Sequence, residues 1–222
     1  MKALKAVFLF SLVLSWSGSV LAQDPVKTDP THYKVILENA SVRVLKIDYA
    51  PGGKSTMHQH PDAIVIPLAA AKVQFGLPDG KSQTQDLAVD SASYMPGGSH
   101  SPTNIGSGRV DAILVEFKAA APGKATIPTT RDGLAIKPLA EGPRAVAQRV
   151  TMDPKFNEPA GTKHDYDQVV IALSPGQTSL AIDGKPAKTT WARGDVSFIG
   201  RGTAHETKSG GKPMDLILVA IR

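Results

Sequence analysis

Histidine carries the chemistry open to this chain. Five of its six histidines fall into two sets about a hundred residues apart, His58-Gln59-His60 followed by His100, and His164 followed by His205. In a strand, residues i and i+2 share a face, so His58 and His60 present both imidazoles to one side. With His100 they would form a facial set of three neutral nitrogen donors. Such a set suits Fe(II), Cu(II), Zn(II), Ni(II) or Mn(II) and leaves coordination positions open for water or substrate. There is no cysteine, so thiolate metal sites, thiol nucleophiles and iron–sulfur clusters are excluded. No Ser–His–Asp arrangement, HExxH helix or glycine-rich phosphate loop is present.

The two histidine sets belong to an internal duplication. Asp90–His100 reads DSASYMPGGSH and Asp195–His205 reads DVSFIGRGTAH; each runs Asp, then Gly97 or Gly202, then a histidine three residues on. Asp79-Gly80-Lys81 recurs as Asp183-Gly184-Lys185, and VDAILVEFK from Val110 as MDLILVAIR from Met214; with the Asp…Gly…His block and the match of His164 to His58, the offsets run from 104 to 106 residues. A tandem repeat of this size divides the chain into two similar domains.

The elements that must position the histidines read as strands. Ser41–Tyr49 is rich in β-branched residues, Lys72–Leu77 alternates with Val73, Phe75 and Leu77 on one face, and Ala63–Leu68 and Val110–Phe117 are short apolar runs. In the second copy the clearest strands are Val169–Leu173, Ser179–Asp183, Val196–Ile199 and Asp215–Ile221. Glycine and proline turns punctuate both copies, and no stretch keeps helical periodicity over three turns, so the fold class is all-β, a sandwich or barrel. His100 is then expected from a strand across the barrel. Residues 119–144, with four prolines and three glycines, read as a linker between domains at 33–118 and 145–222.

Residues 1–22 carry Lys2 and Lys5, an apolar run from Ala6 to Leu14, and Val20-Leu21-Ala22 before a cut ahead of Gln23, the pattern of a signal peptide. Residues 23–32 follow as a polar leader. An exported, periplasmic or secreted protein without stable membrane insertion is expected. Removing Lys2 and Lys5 leaves 23 basic against 20 acidic residues, a net charge of +3. These charges are scattered, without the basic, aromatic-interleaved run of a nucleic-acid groove. Partners are therefore small molecules rather than nucleic acid.

These motifs resemble the cupin family, over nearly all of residues 33–118 and 145–222. Gly52, five residues and His58-Gln59-His60 match the first cupin motif; Gly97, His100 and Asn104 match the later part of the second, with Met95 where proline is usual. In the second copy Gly194, Gly202 and His205 match, with Gly200 in the proline place. The resemblance implies two tandem cupin-type jelly-roll β-barrels, a bicupin, as a monomer (an intramolecular pseudo-dimer) or a homodimer.

It also implies a metal in the first barrel on His58, His60 and His100. The glutamate usual after the second histidine is replaced by Ile64 or Val65, and Asp62 falls two residues early, so the first copy is similar to the three-histidine cupins, which include cysteine dioxygenases and diketone-cleaving dioxygenases. Losing that carboxylate makes the metal site more positive by one charge and frees a position for an anionic or bidentate substrate. Aligned on His58, His164 and His205 form a degenerate second site with Asp165 or Asp167 nearby, favoured as structural or metal-free.

The expected function is one divalent transition metal, iron first, in an exported oxidoreductase of dioxygenase or oxidase type acting on a small organic molecule. The alternative is a non-catalytic periplasmic binder of a metal or small ligand. Ile64, Val65, Val73 and Phe75 are expected to wall the first barrel, and no general acid or base can be read. Ser101 and Asn104 are read as turn-capping, Trp191 and Phe198 as core of the second barrel, and His32 as solvent-exposed.

Overall fold

The structure, a computed structural model, describes residues 23–118 and 125–222; the signal-peptide segment and residues 119–124 lie outside the described residues. A four-residue helix α1 (Pro25–Thr28) is followed by nine strands, β1 (Tyr33–Glu38), β2 (Val42–Tyr49), β3 (His58–His60), β4 (Ala63–Pro67), β5 (Ala71–Gly76), β6 (Ser82–Leu87), β7 (Ser93–Met95), β8 (Gly98–Asn104) and β9 (Val110–Phe117). Eight more form the second half, β10 (Leu134–Glu141), β11 (Ala145–Met152), β12 (Asp167–Ala172), β13 (Gly176–Ile182), β14 (Lys185–Trp191), β15 (Val196–Ile199), β16 (His205–Ser209) and β17 (Met214–Ile221).

Each half pairs a five-stranded sheet with a smaller one. The large sheets run β1-β2-β9-β4-β7 and β10-β11-β17-β12-β15, and the small ones β3-β8-β5-β6 and β14-β13-β16. The interior of the first barrel holds Tyr33, Leu45, Ile47, Tyr49, Ala63, Val73, Val110, Ala112 and Leu114. That of the second holds Met152, Phe156, Val170, Leu180, Trp191, Met214 and Leu216 among others. Asp183 and Gly184, at φ 49° and 72°, make the two-residue turn between β13 and β14, where glycine tolerates the left-handed conformation at little cost.

A third apolar cluster joins the barrels. Val42, Val44, Ile64, Ile66, Ile113, Val115 and Phe117 from the first large sheet pack with Ala145, Ala147, Val169, Ile171, Ile217, Val219 and Ile221 from the second. The outer faces of the two large sheets are therefore back to back, with β1 meeting β15 and β7 meeting β10. These are equivalent contacts made in both directions, the arrangement of a twofold dimer within one chain. Arg193 reinforces it by bonding the Leu68 carbonyl at 2.7 Å and Asp90 at 2.5 Å.

Several expectations change. β10 falls inside the stretch read as linker: it pairs along β11, with a register shift at Pro138 that hides its alternation. The leader straps onto β3, where the Gln59 N–H donates to the Gln23 carbonyl at 3.0 Å. Ile64 and Val65 face opposite ways, as neighbours in a strand must, so Ile64 belongs to the inter-barrel cluster and only Val65 faces the first interior. Phe198 likewise packs between the barrels, whereas Trp191 is core of the second.

Ile64 is fully buried between the barrels and points away from the histidines. Ile64→Ala is expected to cost about 2–5 kcal/mol in urea unfolding while metal uptake by the first barrel stays unchanged.

Candidate metal centre

His58 and His60 occupy the two ends of β3, both buried, with Gln59 exposed between them. β3 pairs antiparallel with β8, and the register sets His100 directly opposite His58. The third histidine thus comes from the adjacent strand, not from across the barrel. The ring centroids stand 4.9 to 5.1 Å apart, and one nitrogen from each ring lies within 4.8 Å of the others.

Hydrogen bonding fixes which nitrogens face the centre. The Thr56 carbonyl lies 2.8 Å from His58 Nδ1; a carbonyl only accepts, so Nδ1 carries the proton and Nε2 is bare. His60 Nδ1 is 2.7 Å from Glu116 Oε1. Arg43 donates to the other Glu116 oxygen at 2.5 Å and to Asp24 at 2.5 Å, so Glu116 is held between Arg43 and His60. His60 Nε2 is thereby turned to the centre, 3.1 Å from His58 Nε2.

Nitrogens this close are bridged by a proton or by a metal cation. Burial, added to by the neighbouring imidazoles, lowers His58 to about 4 and His100 to about 3, which disfavours a proton on the inward nitrogen of either ring. Three converging imidazoles, two of them oriented from behind by a carbonyl and a carboxylate, fit a divalent transition metal.

Beside the histidines is a cavity of about 300 Å³, walled by Val65, Val73, Phe75 and Leu114 and edged by Gln83, Gln85 and Ser93, at the lower end of small-molecule sites. Tyr33 also lines it, and its hydroxyl donates to His58 Nε2 at 3.0 Å. Burial pushes Tyr33 well above the ordinary tyrosine range, so it keeps its proton.

Tyr33, Glu116 and Arg43 all escape a motif reading. A weak signal for Glu116 exists, a lone acid breaking the apolar run VDAILVEFK. Asp62 is no ligand: it accepts from Tyr94 at 2.7 Å and from the Gly97 N–H at 2.7 Å. Asn104 is buried and caps turns, bonding the carbonyls of Ala50 and Gly108. His32 is half-buried rather than exposed, stacked on Tyr49 and bonded to Asp29 at 2.6 Å.

The second barrel gathers a different set. His58 pairs with His100, whereas Thr162 pairs with His205. Thr162 therefore stands at the place of His58, and His164 at that of His60, which corrects the alignment of His164 on His58. Asp165 and Asp167 do not join the cluster; Asp167 caps Arg201 at 2.8 Å. Glu158 joins instead, with its carboxylate 3.4 Å from His205 and 4.0 Å from His164, and Arg131 ion-pairs with it. Burial lowers His164 to about 4. Burial opposes charge on His205 too, but the Glu158 carboxylate outweighs it and raises that histidine.

Two measurements check the first centre. Glu116→Gln keeps the shape but removes the charge behind His60, and metal affinity by chelator competition is expected to fall about 10–100-fold. The depressed values of His58, His100 and His164 mean that the unfolded chain takes up protons first on acidification. Through these three groups the metal-free protein should weaken as pH falls from about 6.5 toward 4, offset only in part by the single raised His205. Equal urea midpoints at pH 7 and 5 would contradict the buried neutral state.

No family sequence profile matches the chain, and no curated protein matches it in sequence. By structure it is similar to AerE from Microcystis aeruginosa, with TM-score 0.64, 14% identity and coverage of 86% of this chain and 97% of that one. A cupin 2 conserved barrel domain protein from Leptotrichia buccalis gives TM-score 0.57 and 13% identity over 86% and 88% of the two chains. Salicylate 1,2-dioxygenase from Pseudoaminobacter salicylatoxidans gives TM-score 0.61 and 11% identity over 83% and 70%. With paired jelly-roll barrels and a histidine cluster inside each, the chain has the fold of a bicupin.

Proposed function

We propose that this protein is an exported, metal-dependent cupin oxidoreductase in which His58, His60 and His100 hold one divalent transition metal, iron first, beside a site for a small organic substrate. The observation that carries the reading is the convergence of His58, His60 and His100, with one nitrogen from each ring within 4.8 Å of the others. The metal would supply a Lewis acid for an oxygen-bearing substrate and, if redox-active, a centre for dioxygen chemistry. The likeness to a salicylate dioxygenase supports an aromatic or other planar acid as substrate class. Export rests on the signal-peptide pattern of residues 1–22, and cleavage ahead of Gln23 would leave the strap on β3 intact.

The chain's own residues divide the remaining work. Val65, Val73, Phe75 and Leu114 exclude water and take the apolar body of a substrate. Gln83 and Gln85 on β6, exposed at the cavity edge, meet its polar end. Once His58 Nε2 is engaged by a metal, the Tyr33 O–H is released from it and can donate to a substrate oxygen. Tyr33 is the proton-bearing group that the sequence reading lacks.

Metal analysis of the purified protein by mass spectrometry is the first test, with oxygen uptake measured on aromatic and dicarbonyl acids. About one equivalent of a transition metal attributable to the first barrel, lost in His58→Ala and in His100→Ala, is expected, with oxygen consumed on at least one substrate. Tyr33→Phe should keep that metal and lose on the order of 100-fold in turnover. A folded protein whose first barrel takes up no iron, copper or zinc would overturn the proposal. Metal retained without turnover on any substrate would favour the non-catalytic binder.

A further inference from the structure

The second barrel has rebuilt its ligand set from other positions. Isolated bridges pair Lys54 with Thr103 in the first copy and Asn157 with Lys208 in the second. Glu158 therefore occupies the place of Ser55, on the segment before the histidine strand. Its carboxylate enters the cluster from a position where the first copy offers no ligand.

The potential ligand atoms converge on one point. The Thr203 carbonyl takes His205 Nδ1 at 3.1 Å, which turns Nε2 toward Glu158 at 3.4 Å. His164 Nε2 is buried without a hydrogen-bond partner. One atom each from Glu158, His164 and His205 falls within 4.8 Å of the others, a two-imidazole, one-carboxylate set suited to a divalent metal. The cavity there measures about 50 Å³, room for an ion and a water or two but for no organic substrate.

A cation from the chain itself reaches the carboxylate. Arg131 donates to Glu158 Oε1, the same oxygen that faces both histidines, and its guanidinium lies 5.7 Å from the centre of the Phe156 ring. It arrives on the segment that leads into β10, which Gln148 ties down by donating to the Pro128 carbonyl at 2.9 Å. The Arg131 side chain is 30% exposed, so it stands at the mouth with solvent to move into. A guanidinium and a metal ion at that oxygen repel each other, so the two compete for it.

We infer that Glu158, His164 and His205 form a second divalent-metal site gated by Arg131, whose guanidinium competes with the metal for the same carboxylate oxygen. The site binds metal weakly while Arg131 is in place and tightly once it leaves. Its ligands are disjoint from those of the first barrel, so it stands or falls separately from the proposed function.

The test is a Co(II) titration at pH 7.5, followed by visible absorption, in a His58→Ala/His100→Ala background that disables the first site. If the guanidinium holds the carboxylate 90–99% of the time, Arg131→Gln should tighten Co(II) binding by about 10–100-fold. Adding Glu158→Gln should abolish the gain. Unchanged affinity in Arg131→Gln, or a gain that survives Glu158→Gln, overturns the inference. Arg131→Met, which keeps an apolar stem on Phe156, replaces the glutamine variant if urea unfolding shows that variant to be unfolded. If the double-histidine background does not fold, the comparison is of stoichiometry in the wild-type background. One tight equivalent rising to two on loss of Arg131 supports the gate, and an unchanged number overturns it.

Discussion

Back-to-back packing of the two large sheets buries their middle strands on both faces, and this constrains everything else in the molecule. Along β2, Val42 and Val44 face the partner barrel while Leu45, Ile47 and Tyr49 face the interior. Along β9, Ile113, Val115 and Phe117 face outward, leaving Ala112, Leu114 and Glu116 inside. A slip of one residue would exchange the two sets and drive Glu116 into the apolar joint. Register is thus fixed from both sides, and with it the line from Arg43 through Glu116 to His60. The same parity assigns Val65, not Ile64, to the inward place beside β3, so no carboxylate can reach the histidines from β4.

Equivalent positions in the two copies show which parts of this arrangement the joint demands. Ile113, Val115 and Phe117 correspond to Ile217, Val219 and Ile221, apolar in both. Inside, the copies differ. Through the strand registers, Tyr33 corresponds to Ile136, Arg43 to Val146, Glu116 to Ala220 and His58 to Thr162. The buried Arg–Glu pair behind His60 is therefore missing as a whole from the second barrel, and another, Arg131 with Glu158, appears at its mouth. Losing both partners together is the economical route, because one member alone would leave an uncompensated buried charge.

The fold was legible where burial differed along the chain. The alternation of Val73 and Phe75 and the apolar runs of β4, β9 and β17 gave those strands near their observed bounds, and the duplication gave the two barrels. β6 was hidden because SQTQDL is exposed on nearly every residue, and β10 because Pro138 falls at its register shift. Three histidines of the first site could be read from spacing, but their partners could not. Glu116 reaches His60 from 56 residues away, through pairing that only the folded sheet reveals. Glu158 was missed because it stands at the place of Ser55, where the first copy carries no ligand to compare it with. The histidines themselves keep the offset of 104 found at Asp79 and Val110, which sets His164 on His60; matching first histidine to first histidine slipped the alignment by two.

The two interiors also differ in room, about 300 Å³ against about 50 Å³, and equivalent positions account for much of it. Trp191 stands where the first barrel has Leu87, since Ala71 pairs with Leu87 as Gly176 pairs with Trp191. Phe156 stands where it has Gly53: the Asn104 N–H bonds the Gly53 carbonyl as the Ser209 N–H bonds that of Phe156. Two aromatic rings thus fill space that the first barrel leaves to its cavity, and the Trp191 indole is fixed by donating to Thr178 at 2.8 Å. Both rings serve the second core, and Phe156 also carries the Arg131 guanidinium on its face. Filling that barrel and placing a cation at its histidines are therefore linked through one side chain. The same filling leaves the roomier interior to the first barrel, where three histidines, Tyr33 and an open cavity meet.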